Sequence, residues 1–193
     1  MILIDKLQLN KGESRATFEI TVRNISDKLG INPNWLMMVM WSESRLNAQA
    51  VNKQAGDPAD PLTRSANRAT GLIQFMPDTA LNLGTTTVAL YRMDAITQLQ
   101  YVYQYFKSWA GKMKSYFDLY FVTFFPDAIG KPDDYILETA KKSRYIIAKQ
   151  NPFFDVNKDG ILTAGEIRRR MYESIPKAIL TDVMATIEKK SSS

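Results

Sequence analysis

The chain has 193 residues, of which 45% are hydrophobic and 23% are charged, and its formal net charge is +5. It contains neither cysteine nor histidine, which excludes disulfides, thiolate or imidazole metal sites, and every catalytic mechanism that uses a histidine base. Acid–base chemistry must therefore come from carboxylates, lysine or tyrosine, and any metal must be bound through oxygen, as calcium and magnesium prefer.

The surplus of positive charge is compatible with binding to an anionic cell-wall polymer or an anionic membrane surface. It is equally compatible with a role in solubility alone. No basic stripe with interleaved aromatic residues is present, so a nucleic-acid partner is not expected. Residues 1–10 lack the long apolar core and the cleavage site of a secretory signal, and no stretch is long enough to span a membrane. We expect a monomer without a signal peptide or a membrane span.

Two helices are predicted in the N-terminal part of the chain. Residues 14–29 place apolar side chains at helical spacing, and Gly30 follows as a stop signal. The pair Asn32-Pro33 predicts a second start, with asparagine as N-cap and proline in the first turn. This second helix, from Pro33 to about Leu46, is apolar on nearly every face, which predicts that it lies in the interior of the domain.

The remainder of the chain is also predicted to be mostly helical. Residues 47–70 are polar and contain one glycine and two prolines, which indicates a long functional loop or a small hairpin. Caps, prolines and periodicity predict further helices at 77–84, 95–110, 115–126, 136–148, 163–174 and 177–189. Because strand patterns are nearly absent, the sequence predicts an all-α fold.

A segment at residues 155–166 has the composition and spacing of an EF-hand calcium loop. We expect a structural Ca²⁺, since the pattern occurs once and calcium sensors usually pair two such loops. The alternative is a polar turn that leads into a helix, in which Thr163 and Glu166 form a simple capping box. The expected calcium ligands are four side chains and one main-chain carbonyl, from Asp155, Asn157, Asp159, Glu166 and Ile161.

Two further motifs lie on either side of the polar segment. The first is Trp-Ser-Glu-Ser-Arg-Leu-Asn at 41–47, where the apolar helix ends, and the second is Thr-Gly-Leu-Ile-Gln-Phe-Met-Pro at 70–77. Together they resemble the lytic transglycosylase and goose-type lysozyme superfamily, with Ile73 in the usual place of a methionine. The resemblance covers roughly residues 15–150, and it extends loosely to phage-encoded members in which an EF-hand loop follows the catalytic domain.

The resemblance implies a lysozyme-like helical domain at residues 12–150 and a small helical extension at 151–190 that contains the calcium loop. It implies a glycosidase that cleaves the β-1,4 bond between N-acetylmuramic acid and N-acetylglucosamine, with Glu43 as acid and then base. The sugar's 6-hydroxyl would attack the anomeric carbon and give a 1,6-anhydro product. A carboxyl at the end of an apolar helix is desolvated and meets the negative end of the helix dipole, so we expect a raised pKa for Glu43.

The same resemblance assigns substrate-binding residues around Glu43. Ser44 would orient the carboxylate, and the turn that contains Gly71, Gln74 and Phe75 would line the sugar groove. The alternative for Gln74 is a side chain that merely caps the turn.

One departure from the family pattern concerns a tyrosine. Related enzymes have an Ala-Tyr-Asn triplet whose tyrosine contacts the catalytic glutamate, whereas this chain has Phe125 in the corresponding place. Tyr120 or Tyr145 would then have to supply the phenol. The departure leaves open whether the product is the anhydro sugar or a hydrolysed one.

Three alternatives to a transglycosylase follow from these observations. A hydrolytic lysozyme would need a second carboxylate, for which Asp57 and Asp60 are the nearby candidates. A non-catalytic glycan-binding or virion module would keep the groove but leave Glu43 in an ordinary ion pair with Arg45 or Lys53. A calcium-responsive interaction protein would expose apolar surface when it binds the ion.

The expected partner is bacterial peptidoglycan, and the expected cofactor is one structural Ca²⁺. The resemblance to phage-encoded members and the expected absence of a signal peptide suggest a phage-encoded enzyme that acts in the bacterial periplasm or cell wall. It would be released by the lysis machinery or carried in the virion.

Overall fold

The computed structural model describes residues 1–10 and 12–188. In these residues the secondary structure consists of ten α-helices and two short 3₁₀ helices, with isolated β-bridges but no strands. The predicted all-α fold is therefore confirmed. The chain divides into two compact units, of which the first comprises residues 1–111 and the second begins at Lys112.

The first unit contains six α-helices and one 3₁₀ helix at Ile4–Lys6. The helix α1 packs against both α2 and α6, while α5 packs against α3 and α4. The helices are α1 (Arg15–Leu29), α2 (Pro33–Ser44), α3 (Pro61–Ser65), α4 (Pro77–Asn82), α5 (Thr87–Arg92) and α6 (Ala95–Lys107).

The helix α2 forms the interior of the first unit, as its composition predicts. Its first turn begins as expected, because the side chain of Asn32 accepts a hydrogen bond from the Asn34 amide and Pro33 follows. Six consecutive residues are buried, so the helix has no solvent face along most of its length. They are Trp35, Leu36, Met37, Met38, Val39 and Met40.

The polar segment at 47–70 has more structure than the sequence indicates. It contains α3, which begins where the Asp60 side chain accepts a hydrogen bond from the Thr63 amide. An antiparallel bridge joins Val51 to Thr70, so the two ends of the segment meet. The helix α5, which Thr86 caps, was also not predicted, because neither short helix has enough residues to show a periodic apolar pattern.

Between residues 112 and 188, the second unit contains four α-helices and a 3₁₀ helix at Pro126–Ala128. Its α-helices are α7 (Tyr116–Phe124), α8 (Arg144–Gln150), α9 (Ala164–Glu173) and α10 (Lys177–Glu188). The predicted ends of the last helix at residue 189 and of the extension at residue 190 lie outside the described residues.

The helix predicted at 136–148 is wrong over its first half. Only Arg144–Gln150 is helical, and Ile136 instead forms an antiparallel bridge with Thr163. The Leu137 amide donates to the Leu162 carbonyl over 2.8 Å, and both side chains are fully buried. Pairing with a distant segment thus satisfies the backbone of residues that a local pattern assigns to a helix.

The boundary between the two compact units, at Gly111 and Lys112, differs from the predicted domain boundary near residue 150. A compact unit is defined by contacts and need not coincide with a catalytic domain, so the predicted domain limits stay a prediction. No helix among residues 1–10 and 12–188 is long and apolar enough to cross a membrane.

Candidate active site

The helix α2 ends abruptly at the predicted catalytic glutamate. Arg45 and Leu46 have positive φ angles of 56° and 58°, which turns the chain out of the helix one residue after Ser44. Leu46 is fully buried, while the Arg45 guanidinium lies 4.9 Å from the ring centre of Trp41. The side chain of Glu43, on the last turn, is partly exposed, as a group that must reach a substrate requires.

Ser44 fixes the end of α2 to the second sequence motif. Its hydroxyl lies 2.9 Å from the carbonyl oxygen of Met40 and 2.9 Å from that of Leu72, and both are oriented to accept its hydrogen bond. Because the serine is buried, this shared hydrogen bond holds the glutamate's neighbour against the turn. Ser44 thus positions the helix end through main-chain carbonyls, and its predicted role of orienting the Glu43 carboxylate stays a prediction.

The second motif forms a tight turn at residues 70–75. Thr70 and Phe75 exchange main-chain hydrogen bonds of 3.1 and 2.9 Å and thereby close it. Gly71 and Gln74 have φ angles of 87° and 53°, and the Gln74 side-chain amide donates to the carbonyls of Ala50 and Gly71. The amide nitrogen of Gln74 therefore braces the turn, in agreement with the alternative that this side chain caps it.

Gln98, on α6, holds the turn from the other side. This side chain is fully buried, its oxygen accepts from the Leu72 amide, and its nitrogen donates to the carbonyls of Ala48 and Leu90. A Cβ on Gly71 would lie 2.5 Å from the Gln98 oxygen, so only glycine fits there. Gln98 was not identified from the sequence, although a glutamine on the buried face of a helix is a recognisable signal.

Tyr105, also on α6, lies close enough to Glu43 to interact with its charge. Burial, together with the negative charge of Glu43, raises the pKa of its phenol to about 12. The phenol therefore keeps its proton at neutral pH and can act as a hydrogen-bond donor. Its ring also contacts Phe75 edge to face, with ring centres 6.2 Å apart.

These contacts bring most of the predicted site residues together in the first unit. Glu43 and Ser44 end α2, and the turn with Gly71, Gln74 and Phe75 is joined to α2 by Ser44 and to α6 by Gln98 and Tyr105. The sequence analysis proposed Tyr120 or Tyr145 as the phenol beside Glu43 and did not consider Tyr105.

The remaining predicted substrate residues, Phe125 and Tyr145, belong to the second unit. Phe125 follows α7 and lines a cleft of about 320 Å³, together with Thr123 and Lys142. Tyr145 is 66% exposed. Their contact with substrate stays a prediction.

The two acids of the polar segment have structural partners. The Asp57 carboxylate forms a two-pronged ion pair with Arg68, with contacts of 2.6 to 3.0 Å, and this hydrogen bonding lowers the pKa of Asp57 to about 2. Asp60 caps α3, and its hydrogen bonds with Thr63 lower its pKa as well. Carboxylates with lowered pKa values are weak bases, so neither favours the activation of water.

The ion pair predicts how acid affects the loop. With a pKa of 3.8 unfolded and about 2 folded, Asp57 stabilises the protein above pH 3.8, and this contribution is lost as the pH falls through about 2. Asp57→Asn should therefore lower the melting temperature at pH 7, and the difference from wild type should shrink below pH 4. Circular dichroism melts across that range measure it, with the exposed Asp27→Asn as the control. A difference that does not depend on pH would contradict this reading.

Four of the predicted calcium ligands lie between α8 and α9 in the second unit, and the fifth, Glu166, lies in the first turn of α9. The capping box of the alternative reading is present there, because the Thr163 hydroxyl accepts from the Glu166 amide while the Glu166 carboxylate accepts from the Thr163 amide. In the described part of the chain, no three Asp, Glu, His or Cys side chains converge closely enough to hold a metal by themselves.

Comparison with known proteins agrees with the site in the first unit. Residues 21–118, about half of the chain, match the family described as Transglycosylase SLT domain. The matched region contains Glu43, the turn and Tyr105, and it ends before the 155–166 loop. No curated protein matches the chain. Members of the matched family are lytic transglycosylases that act on peptidoglycan, and the chain belongs to this transglycosylase SLT domain family.

Proposed function

We propose that the chain cleaves the β-1,4 bond between N-acetylmuramic acid and N-acetylglucosamine as a lytic transglycosylase, with Glu43 as the only catalytic acid and base. The observation that supports this most is the placement of Glu43. It lies at the end of a buried helix that Ser44 fixes to the 70–75 turn, beside the protonated phenol of Tyr105.

In the first step Glu43 acts as the acid. A sugar oxygen is a poor leaving group unless it is protonated, so the carboxyl donates its proton to the glycosidic oxygen as the bond to the anomeric carbon breaks.

In the second step the resulting carboxylate acts as the base. It accepts the proton of the muramic acid 6-hydroxyl while that oxygen bonds to the anomeric carbon. One carbon–oxygen bond has broken and one has formed, the proton is back on Glu43, and no water has been consumed. A single carboxyl suffices for this sequence, which agrees with the structural roles of Asp57 and Asp60.

Product analysis tests the reaction type. Mass spectrometry of peptidoglycan digests should show muropeptides lighter by one water than those from a hydrolytic lysozyme, with no reducing muramic end. Reducing ends would identify the hydrolase. No cleavage at all, under conditions where the folded protein binds glycan, would identify the non-catalytic module.

We further propose that Tyr105 positions the carboxylate of Glu43 and supplies the phenol that the missing Ala-Tyr-Asn triplet would provide. Tyr105→Phe should lower kcat roughly 10- to 100-fold, less than the about 10²- to 10⁴-fold effect of the group that itself transfers the proton. It should also move the basic limb of the kcat/KM pH profile upward, because a neutral donor stabilises a nearby carboxylate. Tyr103→Phe, on the same helix beneath Lys28, is the control, and an unshifted profile for Tyr105→Phe would contradict the proposal.

The site of action in the cell wall and the phage origin belong to the same proposal. A virion-borne enzyme should be detectable by mass spectrometry in purified particles, whereas an enzyme released by the lysis machinery should be absent from them and present in the infected cell.

A further inference from the structure

A second candidate site lies in the second unit, outside the region matched by the transglycosylase family. We infer that the loop at residues 155–166 binds one Ca²⁺ and that this ion stabilises the second unit. The inference is independent of the glycosidase proposal.

The backbone of the loop is folded around its own side-chain oxygens. Asn157 accepts from the Asp159 amide over 2.9 Å, and Asp159 accepts from the Ile161 amide over 3.0 Å. Gly160, with a φ of 80°, donates its amide to Oδ2 of Asp155 over 3.1 Å. These bonds fix the backbone of the segment through the oxygens of Asp155, Asn157 and Asp159.

One carboxylate oxygen of Asp155 indicates that the loop binds a ligand. While Oδ2 accepts from Gly160, Oδ1 is buried and accepts no hydrogen bond from the described residues. A carboxylate oxygen removed from water without a partner costs free energy. A cation is the partner that satisfies such an oxygen most strongly, and a hard divalent ion suits an all-oxygen set.

Glu166 closes the loop at the same end. Its Oε1 accepts from the Val156 amide over 3.1 Å, next to Asp155, while its Oε2 accepts from Thr163. Glu166, the last predicted ligand, is therefore hydrogen-bonded to Val156, the residue that follows Asp155. The capping box does not compete with an ion, because a carboxylate oxygen has more than one lone pair.

The ligand set needs more than carboxylates. Because no three acidic side chains of the described residues gather closely enough on their own, the amide oxygen of Asn157 and the main-chain carbonyl of Ile161 must complete it. We therefore expect the loop to contract when the ion binds. These donors match the preference of calcium for six to eight oxygens in a flexible arrangement better than the strict octahedron of magnesium.

A second EF-hand loop is not required for this site, because another segment supports it. The bridge between Ile136 and Thr163, with Leu162 and Leu137 buried beside it, ties the loop to the core of the second unit. In the first turn of α9 a Cβ on Gly165 would lie 2.9 Å from the Cβ of Asp133, so the two segments are in close contact. An ion in the loop therefore stabilises the core around it rather than exposing a surface.

Calorimetry and thermal melts of the full chain in CaCl₂ or EDTA test the inference. We expect one Ca²⁺ per chain and a melting temperature about 5–10 °C higher when calcium is about a hundredfold above its Kd. Asp155→Asn should abolish both effects. In EDTA, however, this variant should melt no lower than wild type, because the neutral amide removes the negative charge from a side chain whose buried Oδ1 has no hydrogen-bond partner among the described residues.

The different effects of Asp155→Asn in calcium and in EDTA distinguish an ion-binding loop from one that is only structural. Asp127→Asn, an exposed acid of the same unit, should keep the full calcium response. No heat of binding for wild type, or an Asp155→Asn variant that melts lower in EDTA and still responds to calcium, would overturn the inference. MgCl₂ at the same concentration should give a smaller shift, and an equal shift would contradict the preference for calcium.

Discussion

Glu43→Gln is expected to lower the rate of peptidoglycan cleavage roughly 10³-fold, within the range of about 10² to 10⁴ for loss of a general acid or base. The amide keeps the shape of the side chain but can neither donate the carboxyl proton nor accept one from the 6-hydroxyl. Both steps are then affected, so kcat should fall while the affinity for the glycan changes little. Release of soluble muropeptides from purified cell walls measures the rate.

The control for this variant is Glu19→Gln. Glu19 pairs with Arg23 on the surface of α1, in the same unit, and such pairs contribute little to stability, so activity should be unchanged. Cleavage by Glu43→Gln at a rate within about tenfold of wild type would exclude Glu43 as the acid, provided that its circular dichroism spectrum and melting temperature match those of wild type.

Gln98→Leu is expected to destabilise the first unit strongly. It leaves the Leu72 amide and the Ala48 carbonyl buried without a partner, while the Leu90 carbonyl keeps only its hydrogen bond from the Met93 amide. Each such group costs about 1–3 kcal/mol, so the free energy of unfolding should fall by about 3 kcal/mol or more. For a chain of this size the melting temperature should drop by roughly 6–12 °C.

The turn should also lose its position beside Glu43, so the folded fraction of Gln98→Leu should have a lowered kcat. Gln104→Leu is the matched control, because Gln104 lies on the exposed side of the same helix and should change the melting temperature by less than about 2 °C. A Gln98→Leu variant as stable and active as Gln104→Leu would show that the turn does not depend on Gln98.

The sequence predicted the parts of the fold that local chemistry determines. Asn32 caps α2 as expected, because a side chain that bonds the first amides acts within a few residues. The uniformly apolar composition of α2 likewise predicted its burial. The glutamate that ends this helix and the 70–75 turn were both identified from their motifs.

The residues that sequence alone did not identify act over long separations. Gln98 reaches Leu72, 26 positions away, and Ala48, 50 positions away. Tyr105 is brought to Glu43 only by the folding of α6 over the turn. A polar or aromatic residue on the buried face of a helix can be recognised locally, but the sequence does not show which distant partner it contacts, so Tyr105 was not identified as a residue near Glu43.

The error at residues 136–143 has a related cause. Ile136 and Leu137 fit a helical pattern, but their backbone pairs with Thr163 and Leu162 across the second unit. Strand-like pairing between distant segments overrides a weak local preference.

The most direct test of the proposed mechanism is a crystal structure of the Glu43→Gln variant with a bound peptidoglycan fragment that spans the scissile bond. We predict that the glycosidic oxygen lies about 2.6–3.2 Å from the side chain at position 43, with the sugar against the 70–75 turn. A fragment bound elsewhere on the protein, with its glycosidic oxygen out of hydrogen-bond reach of position 43, would contradict it.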